Sequence, residues 1–235
     1  MSNFLPNYLY RYLRSNITPE RLSSLLIESR LYLNSRAQFN DPFDSTAYIQ
    51  TVDSKQKLRK KFEYLIRRGL KEKNQIIDQI TVKNLVSNQM MKFKNTPFYL
   101  EDFMVSNINK IGIYCLSEDN KNILMWSHYA TNHEGLILEF DVAETSATFS
   151  QTYKVDYSKN YPTLSFLNKN KNEHHELLTT KSIDWEYEKE WRIIRVNEAF
   201  NNLAFNPKAL TSVTFGCRSG VSIRNLVSEL LVERA

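Results

Sequence analysis

The chain is poor in the residues that mark most simple functional classes. Its 235 residues include only five Gly and six Pro, too few for a fibrous or disordered chain. Gly112, Gly135, Gly216 and Gly220 stand apart from one another, so there is no glycine-rich loop to cradle phosphate. Cys115 and Cys217 are lone residues inside apolar runs. They lack metal-type spacing and read as small core residues of a reducing compartment. His174 and His175 lie in a polar stretch with no Cys or carboxylate at ligand spacing, and no Gly-x-Ser-x-Gly elbow occurs. No metal site is therefore expected. No run approaches the roughly 18 apolar residues of a membrane span, and Met1 to Asn7 lack the basic-then-apolar order of a secretory signal. The expected location is cytoplasmic, without a membrane partner.

What is present is globular. A hydrophobic fraction of 42%, with thirteen Tyr and thirteen Phe, can fill the core of one α+β domain spanning 1–235. The net charge of +5 is too common an excess to name a partner. Tyr8 to Leu13 alternates as a strand, with Tyr8, Tyr10 and Tyr12 on one face and Leu9, Arg11 and Leu13 on the other. Thr18 as N-cap and Pro19 at the first helical position open a helix with Leu22, Leu25 and Leu26 as its apolar stripe. Arg30 to Asn34 reads as a short strand, followed by a loop from Phe39 to Asp44. From about 54 to 110 the pattern turns helical and basic, an insertion covering the sheet, whose basic stripe reads as a solvated face rather than a nucleic-acid site. The second half is mainly β: strands at 111–116, 136–140, 153–157 and 210–216, a helix to about Ala130, and a terminal helix over 222–232. A mixed, mainly antiparallel sheet fed from both ends of the chain follows.

The richest stretch runs from Asp184 to Arg195, where carboxylates and aromatics lead into β-branched residues. As a strand it would set Glu188, Glu190 and Arg192 on one face and Tyr187, Lys189 and Trp191 on the other. A carboxylate entering a buried strand must be paired, hydrogen-bonded or functional. Arg11 between two leucines, and His128 and Tyr129 on an otherwise apolar helix, are the other polar groups set in apolar surroundings. Arg recognises phosphate through its fork of donors, aromatics stack on flat rings, and a carboxylate can hold a ribose hydroxyl.

With these residues in view, the chain resembles the bacterial family catalogued as domain of unknown function 2971. The resemblance rests on Leu9 to Tyr12, Leu31 to Ser35, Phe39 to Asp44, Cys115 to Asn120, Leu124 to Gly135, Trp185 to Arg192, Phe205 to Pro207, and Phe215 with Gly216. The order of blocks is similar to ADP-ribosyltransferases of toxin and phage-defence systems, implying an ADP-ribosyltransferase-like sheet and NAD as cofactor. By that likeness Glu190, with Glu188 as alternate, is the catalytic carboxylate, and His128 bonds a hydroxyl. Arg11 holds the pyrophosphate or ribose, Trp126 or Tyr129 flanks the nicotinamide, and Tyr12, Asn40 and Asp41 line the cofactor site. Arg11 stands where His is commoner, and the middle group lies on a helix. The implied acceptor is a protein or a nucleic acid, to which the basic 55–73 stripe would contribute phosphate contacts; the oligomeric state is left open. Three alternatives stand beside this one: a non-catalytic nucleotide- or partner-binding module, a buried ion network of Arg11, Glu188, Glu190 and Arg192, and a metal-dependent nuclease using Asp41, Asp44, Glu188 and Glu190.

Overall fold

The computed structural model describes residues 5–50, 52, 54–96, 98–167 and 171–234, and the chain divides into two compact units. The first comprises Met1–Ser45, Asn109–Asn160 and Thr179–Ala235; the second comprises Thr46–Ile108 and Tyr161–Leu178.

The first unit is built on β1 (Tyr8–Leu13), β4 (Gly112–Ser117), β5 (Leu136–Asp141), β6 (Thr152–Lys154), β10 (Glu190–Arg195) and β12 (Leu210–Phe215). These form one sheet in the order β12-β5-β1-β4-β10-β6, and every pairing within it is antiparallel. Two small pairs flank it: β2 (Arg30–Tyr32) with β11 (Asn202–Ala204), antiparallel, and β7 (Asp156–Ser158) with β9 (Thr180–Ser182), parallel. The helices are α1 (Pro19–Leu26), α5 (Ile123–Tyr129), the short α6 (Ser146–Phe149) and α8 (Val221–Arg234). The expected mixed, mainly antiparallel sheet is thus what the chain forms.

One face of the sheet is the main core. Leu9 and Leu13 of β1, Tyr114 and Leu116 of β4, and Trp191 and Ile193 of β10 pack there against Leu22, Leu25 and Leu26 of α1 and Ile223 and Val227 of α8. Thr18 caps α1 by accepting from the Arg21 N–H. Burying its three leucines stabilises the unit by roughly 1.5–3 kcal/mol each. The opposite face is divided: Tyr12, Met125, Trp126, Ala130 and Ile137 make a second small core, and beside it lies a polar field.

The second unit contains β3 (Tyr48–Ile49) paired in parallel with β8 (Thr163–Leu164), together with α2 (Lys55–Glu72), α3 (Gln79–Asn95), α4 (Tyr99–Ile108) and α7 (Lys171–Thr179). Phe62 of α2 centres its core, in ring contact with Tyr99, Phe103 and Phe166. The helical segment therefore folds together with 161–178.

Several local expectations need correction. Residues 183–188 form a 3₁₀ helix and the strand begins only at Glu190. Lys189 between them is left-handed, with φ 45°, because the chain must turn sharply to enter the sheet. The segment 153–157 is split between β6 and β7, which pair with different partners. Cys217 is exposed rather than buried.

Candidate functional site

Strand register builds the polar field. Tyr10 faces Ser117, which faces Glu190, and Arg192 faces Cys115. Strictly alternating side chains then put Glu190 and Arg192 on the face opposite Trp191 and Ile193. In the parallel β7–β9 pair Tyr157 stands beside Lys181, and Asp41 shapes the turn before Asp44 by accepting from the Phe43 N–H at 2.8 Å.

These elements converge on a buried ion cluster. The Arg192 side chain is fully buried. Its Nε and Nη2 donate to Glu190 at 2.8 and 2.9 Å. Nη1 and Nη2 donate to Asp44 at 2.8 and 2.6 Å, and Nη1 also to Ser45 at 3.2 Å. Those five bonds use all five donors of the guanidinium. Lys181 Nζ lies 2.5 Å from Glu188, 3.2 Å from Glu190 and 3.5 Å from Asp44. Tyr157 Oη accepts from the Glu190 N–H at 2.8 Å. The Tyr129 hydroxyl donates to Glu188 Oε1 at 2.5 Å and accepts from Asn40 Nδ2 at 3.4 Å.

Three carboxylates meet two cations, so with every group ionised the cluster carries one net negative charge (3 − 2). One proton would neutralise it, and Glu188 is the carboxyl least held as an anion. Glu190 is gripped by Arg192 through both oxygens, and Asp44 likewise, whereas Glu188 has only Lys181 and a phenol. Burial, followed by the adjacent Glu190 charge, raises the Glu188 carboxyl to about 7, against the opposing pull of Lys181. Glu190 is itself desolvated, but Arg192 and then Lys181 hold it well below the usual carboxylate range. Burial and Glu188 push the Tyr129 phenol well above its ordinary value. Two neighbouring carboxyls driven apart in this way divide into a proton carrier and a fixed charge.

A cleft of about 530 Å³ opens onto the cluster, within the size range of small-ligand sites. It lies where β1 and β4 part: their register holds at Tyr10–Ser117, and beyond it Arg11 Nη1 reaches across to donate to the Cys115 carbonyl at 2.7 Å. Asp44, Lys181, Glu188 and Glu190 line one part of the cleft wall; Arg11, Arg14 and Arg21 also line it. None of these three arginines has a carboxylate within ion-pairing distance among the described residues. Arg11 rests 4.8 Å above the Tyr114 ring with its buried Nε unbonded, and Arg21 lies 4.1 Å above Tyr32.

Of the residues singled out in the sequence, Arg11, Tyr12, Asn40, Tyr129, Glu188 and Glu190 line this cleft. Tyr12 is buried, however, and its hydroxyl is spent on the Asp119 carbonyl at 2.7 Å. Trp126, His128 and Asp41 are not brought to the cleft. Trp126 is buried, donates to the Asn120 carbonyl and stacks on His133. His128 is exposed and contacts Trp185 and Tyr187. Asp41 is occupied by its turn. The proposed ion network exists, but with Asp44 and Lys181 in place of Arg11. Lys181, Tyr157, Arg14 and Arg21 went unrecognised in the sequence. The one available signal was that a lone Lys preceding an acidic run asks for a buried partner.

For the nuclease alternative, Lys181 occupies the position between the carboxylates that a metal would take. Among the described residues no group of three His, Cys, Asp or Glu could hold a metal ion, and no helix is long and apolar enough to cross a membrane.

An antiparallel sheet with a charged cluster buried at the end of an arginine-lined cleft defines an α+β protein with a candidate site. Residues 125–193 match the family described as protein of unknown function (DUF2971), the family that the sequence blocks indicate. That span holds the greater part of α5, with Tyr129, and Tyr157, Lys181, Glu188, Glu190 and Arg192, most of the cluster. No curated protein and no solved structure matches the chain.

Proposed function

We propose that the cleft binds a phosphorylated nucleoside and carries out chemistry at its sugar carbon, in the class of ADP-ribosyl transfer with NAD as donor. The observation that carries this reading is the polarity of the cleft. Three arginines without carboxylate partners face the same space as a carboxyl raised to about 7 beside one held ionised. Unpaired guanidinium groups suit phosphate oxygens, and carboxylates suit ribose hydroxyls and positive charge developing at the anomeric carbon.

Bound NAD would supply a positively charged nicotinamide leaving group: its C–N glycosidic bond breaks with the electron pair going to the ring nitrogen. The chain's own residues do the rest. Arg11 orients the phosphates, the fixed Glu190 charge stabilises the cationic sugar carbon, and ionised Glu188 accepts the proton of the attacking acceptor as the new bond to carbon forms. A base with a midpoint near neutrality is well matched to that role. Glu188 rather than Glu190 is therefore the first residue to replace, because both Glu190 oxygens are already bound.

The test is incubation of the full chain with labelled NAD, with and without nucleic acid and protein acceptors. Turnover is expected, falling about 10²–10⁴-fold in Glu188→Gln with the fold retained. NAD left intact under every condition, or undiminished turnover in Glu188→Gln, would sink the catalytic reading. The engagement of all three carboxylates by Lys181 and Arg192 favours one other reading, a non-catalytic nucleotide-binding module. It predicts ligand-dependent thermal stabilisation without turnover, lost in Arg11→Ala.

A further inference from the structure

Helix α2 concentrates the charge of the protein. Between Lys55 and Glu72 it carries eight Lys or Arg against two Glu, a balance of +6, whereas the whole chain is only +5 (31 − 26). The other 217 residues together are therefore close to neutral, at −1 (23 − 24).

That charge is ordered. Lys57, Lys60, Arg68 and Lys71 are exposed, as is Tyr64 between them, and they succeed one another at spacings of three and four residues. Such spacing keeps them within about a quarter turn of the helix, in a row about 21 Å long. Leu58 and Phe62, the buried residues of α2, lie on the roughly opposite side. The two glutamates neutralise Arg67 and Arg68 at 2.9 and 2.7 Å. Lys57, Lys60 and Lys71 have no carboxylate within ion-pairing distance among the described residues.

A helical row in which Lys57, Lys60 and Lys71 are unneutralised, on a chain otherwise near neutrality, suits an extended polyanion. We infer that this face of α2 is a sequence-independent nucleic-acid interface that follows the phosphate backbone. A nucleic acid fits better than an anionic bilayer because the row contains no large aliphatic residue to insert between lipids. Placing the cations opposite the buried residues lets α2 dock without disturbing its own packing. The inference is independent of the chemistry assigned to the cleft, which lies in the other unit.

The test is fluorescence anisotropy of a labelled 25-nucleotide DNA, single-stranded and duplex, titrated with the full chain from low to physiological salt. Lys57→Ala/Lys60→Ala/Lys71→Ala is compared with wild type, with circular dichroism confirming equal folding. Binding to at least one DNA form is expected, with affinity falling steeply as salt rises. The triple variant should bind at least 10-fold more weakly at low salt, with a log–log salt slope shallower by about 2–3. The inference is overturned if neither DNA form binds, if the triple variant binds as wild type does, or if vesicles containing phosphatidylserine capture the chain through these lysines while DNA does not. NAD turnover in the triple variant without added nucleic acid reports on the cleft alone, so failure of either reading leaves the other standing.

Discussion

Replacing Glu188 with Gln tests whether this carboxyl carries the proton of the buried cluster. In the unfolded chain Glu188 titrates near its ordinary 4.5; in the folded protein burial and Glu190 raise it to about 7. Between these values the native state binds a proton that the unfolded state has released, so stability falls as pH rises through the window and levels off above it. The shift corresponds to roughly 3 kcal/mol lost to the folded protein by pH 8. Gln resembles the protonated acid in shape and keeps a carbonyl for the Tyr129 hydroxyl, but it cannot ionise. Wild type and Glu188→Gln should therefore be similarly stable near pH 4.5, with the variant gaining up to about 3 kcal/mol over wild type by pH 8. Urea unfolding followed by tryptophan fluorescence measures this, because all three Trp residues, Trp126, Trp185 and Trp191, lie in the unit that holds the cluster. A pH-independent difference would refute the assignment. So would a growing deficit of the variant toward pH 8, which would mean that Lys181 outweighs burial and keeps Glu188 ionised.

Other consequences follow from the same geometry. Arg192→Met leaves Asp44 and Glu190 buried without their main cation and should cost about 3–5 kcal/mol, read as a lowered urea midpoint. Arg192→Lys should not restore it, because one ammonium cannot bind both oxygens of two carboxylates at once as the guanidinium fork does. Gly135→Ala would set a Cβ 2.0 Å from the Leu13 carbonyl oxygen, a backbone atom that cannot give way. It should destabilise the sheet by about 2–3 kcal/mol, read as a drop in Tm.

Much of the scaffold is written in local pattern. The alternation of Tyr8 to Leu13, the Thr18-Pro19 start of α1 and the leucines at 22, 25 and 26 each depend on residues within one or two turns, and the structure realises them. The polar groups conspicuous in the sequence, Arg11, Tyr129, Glu188 and Glu190, share one cleft. Periodicity could not sort the α5 side chains: Trp126 was absorbed by packing while His128 was left at the surface, because helical spacing names a face without naming what covers it.

The sequence by itself determined most strands of the main sheet, the family to which its blocks point and the presence of carboxylates that needed partners. Tertiary structure alone decided who those partners are. Arg192 meets Asp44 across 148 positions of chain, and Lys181 reaches Glu188 because β9 pairs with β7 in a register that places it beside Tyr157. The left-handed turn at Lys189 separates Glu188, held by Lys181 and Tyr129, from Glu190, held by Arg192 through both oxygens. Propensity acts over a few residues, whereas a carboxyl's protonation depends on its burial and on every charge within several ångströms. That neighbourhood is assembled only when distant strands settle into register.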